Sequence, residues 1–114
     1  MAFAIGPQLL DGCVLAVLSH GDAYGYILTQ RVKSQLDISE STLYPVLRRL
    51  QRDGLLKVYD RPYQGRNRRY YAITPVGRTL LSGYREAWRE YRGQIETLLF
   101  SEEPEKGGGE YGEG

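Results

Sequence analysis

The run STLYPVLRRLQRDG, Ser41 to Gly54, constrains the fold of this chain more than any other segment. Leu43, Val46, Leu47 and Leu50 recur at i, i+3, i+4 and i+7, the spacing of a helix with one buried face. Proline stands at position 45, and inside a helix it removes a hydrogen bond and clashes with the preceding turn, at a cost of about 3 kcal/mol. Leu43 shares the stripe with the leucines beyond the proline, so the helix begins before Pro45, with Ser39 or Ser41 as its N-cap. A turn of about 100° per residue brings Ser41, Pro45, Arg48 and Arg52 to the pole opposite Leu43. Thr42, Tyr44 and Arg49 flank them.

The segments on either side set the context of this helix. PQLLDGCVLAVLSHG carries proline at a first helical position, then Leu10, Val14, Val17 and Leu18 at helical spacing, and stops at Gly21. Asp22 suits an N-cap for AYGYILTQRVKSQL, whose apolar face is Tyr24, Ile27, Leu28 and Val32. Gly25 inside that helix costs about 1 kcal/mol relative to alanine, which points to close approach of a neighbouring element. DISES separates it from the third helix and is short enough for a helix-turn-helix. After Gly54, LLKVYDRPY and RRYYAIT are rich in β-branched and aromatic residues, with the turn-forming QGRN between them. They read as a hairpin, with Pro62 near its open edge or tip, where the strands stop pairing. Tyr71 and Ile73 share the inward face of the second strand, leaving Tyr70 and Arg68 on the other.

TPVG starts a last helix, with Thr74 as N-cap and Pro75 at the first position. In it Leu81, Tyr84, Trp88, Tyr91, Ile95 and Leu98 alternate spacings of three and four, an a/d seam that needs a partner helix. At 114 residues the chain has room for one domain with a modest core, and a second copy is the expected partner. The expected organisation is residues 1–74 as a helix-turn-helix with a hairpin wing, 75–100 as a dimerisation helix and 101–114 as a disordered acidic Gly/Glu-rich tail. The fold class is mostly α with a small β-hairpin, α+β.

A net charge of +1 conceals a strong asymmetry. Arginines and lysines crowd the stretch from Arg31 to Arg69, while Glu102, Glu103, Glu105, Glu110 and Glu113 occupy the tail with Lys106 as its one base. A single cysteine, Cys13, sits in the apolar run CVLAVL and cannot form an internal disulfide, which suits a reducing cytoplasm. That run is too short to span a bilayer and lacks a basic flank, so no membrane association is expected. Nor is an enzyme. His20 is the only histidine and lies at a helix end, Cys13 has no paired base, and no metal-ligand spacing or phosphate-cradling glycine loop occurs. No catalytic residue, metal or cofactor is assigned.

A helix-turn-helix followed by a hairpin is the winged-helix arrangement, whose third helix enters the major groove while the hairpin reaches backbone or minor groove. An arginine-rich outer helix face is by itself ordinary solvated surface. Here it is joined to a basic hairpin tip, Arg66, Arg68 and Arg69, at winged-helix spacing, and the combination points to double-stranded DNA. Ser41, Thr42, Tyr44, Pro45, Arg48, Arg49 and Arg52 are the candidate recognition residues, with types suited to phosphate oxygens and guanine edges. Tyr44 fits a nucleic-acid contact and a packing role equally. The alternative is a winged-helix protein-interaction module that binds an acidic partner through the same arginines.

ISESTLYPVLRRLQRDGLL followed by GRNRRYYAITPVGRTLL resembles the PadR family of bacterial transcriptional regulators, and LLDGCVLAVLSHGDAYGYIL is similar to that family's first two helices. Tyr24 stands where the family often has histidine, and Ile27 where it often has glutamate. The resemblance runs from about Gln8 to Phe100, and the single C-terminal helix looks like the short-form subgroup. It implies a homodimeric repressor that binds an inverted-repeat operator and leaves it when an effector binds. Some short-form members line a drug-binding pore with a tryptophan of the last helix. Trp88, with Tyr84 and Tyr91, is the matching candidate for a planar aromatic molecule; a heptad knob without a ligand is the other reading.

Overall fold

The computed structural model describes residues 5–102. Helix α1 (Pro7–Leu18) is followed by a two-residue strand β1 (Ala23–Tyr24), helix α2 (Gly25–Lys33) and helix α3 (Glu40–Arg52). Strands β2 (Leu56–Tyr63) and β3 (Arg66–Ile73) form the hairpin, and helix α4 (Pro75–Phe100) ends the described chain. The expected tail lies, from residue 103, outside the described residues. The sheet is antiparallel in the order β1, β3, β2. This is the expected α+β winged helix with a long last helix, and β1 is an addition to it.

β1 corrects the expected start of the second helix. Ala23 and Tyr24 pair with Tyr71 and Tyr70, so their backbone groups are satisfied by the sheet, and α2 begins only at Gly25. Asp22 does not cap α2; its carboxylate accepts a 2.7 Å hydrogen bond from the Tyr59 hydroxyl across the sheet. Tyr24 and the exposed Ile27 leave the expected apolar face of α2, which buries Leu28, Thr29 and Val32. Gly25 does meet a neighbour, since a β-carbon there would lie 3.2 Å from the Tyr71 ring.

One core joins all these elements. Leu10, Val14, Leu15 and Leu18 of α1, Leu28 and Val32 of α2, Leu43, Val46, Leu47 and Leu50 of α3, Leu56 and Ile73 of the sheet and Leu81 of α4 are buried together. Each fully buried leucine contributes about 1.5 to 3 kcal/mol. Thr74 caps α4: its hydroxyl accepts from the Gly77 amide and donates to the Gly54 carbonyl, which ties the helix start to the end of α3. Gly77 has no alternative, because a β-carbon would overlap the Leu55 carbonyl oxygen.

The first turns of α4 belong to this core, which corrects the seam. Leu81 is buried within its own chain, and Tyr84 packs on α1, where a β-carbon at Gly12 would touch its ring at 3.3 Å. Leu81 offers no free seam position, whereas Tyr84 is only half-buried. Beyond them, Trp88, Tyr91 and Leu98 are exposed and Ile95 is half-buried.

Candidate nucleic-acid interface

α3 starts at Glu40 because Ser39 caps it, its hydroxyl oxygen accepting from the Thr42 amide at 3.2 Å. The Ser41 and Thr42 hydroxyls lie 2.9 and 3.0 Å from the same oxygen, so the three hydroxyls form one cluster at the exposed helix start. Pro45 is therefore the sixth helical residue, deeper than the end of the first turn. Its missing amide takes from the Ser41 carbonyl its usual donor four residues on.

Leu43, Val46, Leu47 and Leu50 bury one face as expected. Ser41, Thr42, Tyr44, Pro45, Arg48 and Arg52 are exposed together on the other. Arg48 makes no ion pair with a described residue, and Arg52 reaches only the adjacent Asp53, at 3.3 Å. Tyr44 is 41% exposed, which leaves its ring available to a partner.

Arg49 departs from this group. Its guanidinium turns back to α1 and donates two hydrogen bonds to Asp11, at 2.6 and 3.0 Å, one to each carboxylate oxygen. Asp11 is only 7% exposed, so this fork holds a buried charge. The pairing raises the Arg49 pKa above the ordinary guanidinium value. The helical wheel could place Arg49 near the outward pole but could not show an acid 38 positions earlier beneath it. One sequence signal was present: Asp11 stands one turn after proline in an otherwise apolar helix face, where a carboxylate needs a partner.

The wing is built on a two-residue turn. Gln64 and Gly65 have φ of 51° and 79°, the pair of positive values that a type I′ turn requires, and the ladder runs up to it, ending with Tyr63 opposite Arg66. The strands therefore keep pairing past Pro62, which the edge position of β2 tolerates. Arg66 and Arg69 are exposed, but Arg69 lies 3.9 Å from Asp60. Arg68 is half-buried, its guanidinium carbon 3.6 Å from the centre of the Tyr63 ring and 4.4 Å from that of Tyr24. Arg61, absent from the sequence assignment, lies over the Tyr59 and Tyr70 rings at 5.7 and 5.3 Å. Alternating sequence on β2 could have revealed it, because Tyr59, Arg61 and Tyr63 share one face.

Away from these residues a groove of about 560 Å³ runs between the start of α1 and the middle of α4. Ile5, Pro7 and Leu9 form one wall, and Tyr84, Trp88 and Tyr91 the other. Trp88 and Tyr91 lie 6.4 Å apart, their rings tilted by 48°. Cys13 is half-buried, and burial pushes its thiol pKa up, so it is a protonated thiol at neutral pH. No described helix is long and apolar enough to cross a membrane.

Comparison with known proteins places this geometry among regulators. The model of the transcriptional regulator PadR-like family matches residues 14–83. A solved structure of a Streptococcus mutans protein is similar with a TM-score of 0.81 and 34% identity, covering 91% of this chain and 98% of that one. A PadR-like transcriptional regulator from Bacillus cereus gives a TM-score of 0.76 and 30% identity over 82% of this chain and 94% of its own. A transcriptional regulator of Mycobacterium tuberculosis is 39% identical over 85 residues, 71% of this chain and 79% of the relative.

Proposed function

Because the chain belongs to the PadR-like family of transcriptional regulators, whose members act by binding DNA, we propose that it is a sequence-specific repressor. It binds an inverted-repeat operator as a homodimer and is released by a small aromatic effector. The observation that carries this reading is the outward face of α3, where Ser41, Thr42, Tyr44, Pro45, Arg48 and Arg52 are exposed side by side. These groups would line the major groove, with Arg66 and Arg68 of the wing directed at the adjacent backbone or minor groove. Arg49 orients the helix from inside through Asp11.

The homodimer draws support from α4. Trp88, Tyr91, Leu98, Leu99 and Phe100 are exposed in a single chain, more apolar surface than one helix ordinarily leaves to water. A twofold dimer would repeat the α3 face and so call for a twofold DNA site. The groove supports the effector: its volume falls within the usual range for small-molecule sites, about 300 to 1,000 Å³, and its walls are largely aromatic and aliphatic. An effector there releases DNA only if it binds the DNA-free geometry better.

The test is a footprint on the DNA upstream of the chain's own gene. A protected inverted repeat, with Arg48→Ala and Arg52→Ala each losing about 1 to 3 kcal/mol of operator binding while the dimer stays intact, is the expected result. Equal weak binding to every duplex would favour the protein-interaction module instead.

A further inference from the structure

The sheet has two faces of opposite chemistry. Leu56, Val58, Tyr71, Ile73 and Ala23 turn toward the helices, whereas register and alternation put Tyr59, Arg61 and Tyr63 of β2 on the outer face with Arg66, Arg68 and Tyr70 of β3 and Tyr24 of β1. Arg61 stands directly opposite Arg68 in the ladder. Two like charges in that position repel, so a neutral partner must hold each of them there.

Tyrosines do so. Arg68 lies between the Tyr24 and Tyr63 rings, and Arg61 over the stacked pair Tyr59 and Tyr70, whose centroids are 5.6 Å apart with planes 12° from parallel. A ring face attracts a guanidinium without neutralising it. No carboxylate among the described residues comes within 4.0 Å of either arginine, and Asp22, beside the ladder, is taken by the Tyr59 hydroxyl. Asp60 pairs with Arg69 on the opposite face. A polar cavity of about 460 Å³ opens at the hairpin tip on the Arg68 side, lined by Tyr24, Tyr63, Gln64, Arg66, Asn67 and Arg68, with Arg61 outside its lining.

We propose that Arg61 and Arg68 form a two-guanidinium receptor for one backbone phosphate of duplex DNA, with Tyr24 and Tyr63 as the residues that position Arg68. This rests on the DNA-binding reading above. An anion seated between the two relieves their mutual repulsion and gains charge-assisted hydrogen bonds from both. The planar fork suits a phosphate better than a lysine would. Because the rings hold the guanidinium in advance, little side-chain freedom is lost when the anion arrives. Such a contact adds affinity for any duplex and carries no sequence information.

The test measures binding of the full-length protein to a random-sequence duplex across a salt series. Removing the one phosphate contact should lower the slope of log K against log salt by about 0.9. Arg61→Ala and Arg68→Ala should each weaken binding about tenfold, and the double variant should lose the slope of one phosphate, not of two. Tyr63→Leu retains every charge, so it should weaken binding while keeping the wild-type slope, and Tyr63→Phe should restore affinity because the ring face is what holds the arginine. Unfolding midpoints of all variants are compared, so that a loss of fold is not read as a loss of contact. A slope loss near twice the single value in the double variant means two separate contacts and overturns the shared receptor. So does an unchanged affinity in Arg61→Ala while Arg48→Ala still weakens operator binding, an outcome that leaves the DNA-binding reading intact. Absence of salt-dependent duplex binding in the wild type overturns both.

Discussion

Arg49 and Asp11 offer the sharpest test of how the recognition helix is held. Their two hydrogen bonds join α3 to α1, and the side chains differ in burial: that of Asp11 is 9% exposed, that of Arg49 36%. Removal of the arginine in Arg49→Met strands a carboxylate under the helix. Breaking a fully buried pair in this way costs about 3 to 5 kcal/mol, and the water admitted through the partly open arginine site reduces that to about 2 to 3. Removal of the acid charge in Asp11→Asn leaves a guanidinium that already meets solvent and still faces an amide oxygen, at a cost of about 1 kcal/mol. The double variant Asp11→Leu with Arg49→Met replaces the pair by apolar groups and should recover most of the loss. Urea unfolding at one fixed protein concentration, followed by far-ultraviolet circular dichroism, reads all three. Operator affinity should fall in parallel with stability for both single variants, because each loosens the same helix. If Arg49→Met instead lost operator binding more than tenfold with unchanged stability, and Asp11→Asn lost nothing, the inward assignment would be refuted and Arg49 would be a direct DNA contact.

Two further outcomes are expected. Pro45→Ala restores an amide to the Ser41 carbonyl and should stabilise the chain by about 1 to 3 kcal/mol. If the proline ring sets how α3 enters the groove, the same variant loses preference for the operator over random duplex; undiminished preference would make Pro45 a tolerated accident. Trp88 is the sole tryptophan, so its fluorescence reports directly on the α1–α4 groove. Planar aromatic compounds should change it saturably and weaken operator binding in the same concentration range, and no change in either would remove the effector from the proposal.

Local physics made much of this protein legible from its residues. The stripe of Leu43, Val46, Leu47 and Leu50, the caps at Ser39 and Thr74 and the Gln64–Gly65 turn all follow from chemistry acting within a few positions of the chain. The outward polar face of α3 follows too, since a helix with one buried side must present the other. What the sequence could not decide was which distant groups meet. Ala23 and Tyr24 joined the sheet because β3 offered them hydrogen-bond partners, against a helical pattern that fitted them equally well. Leu81 kept the spacing of an intermolecular seam, yet its own core buried it, because a periodic stripe specifies a covered face without naming the cover. Spacing alone presents Arg49 and Arg68 as free outward charges. Only folding brought Asp11 beneath one and two tyrosine rings around the other, since long-range electrostatic and cation–π contacts depend on separations that a linear spacing does not encode.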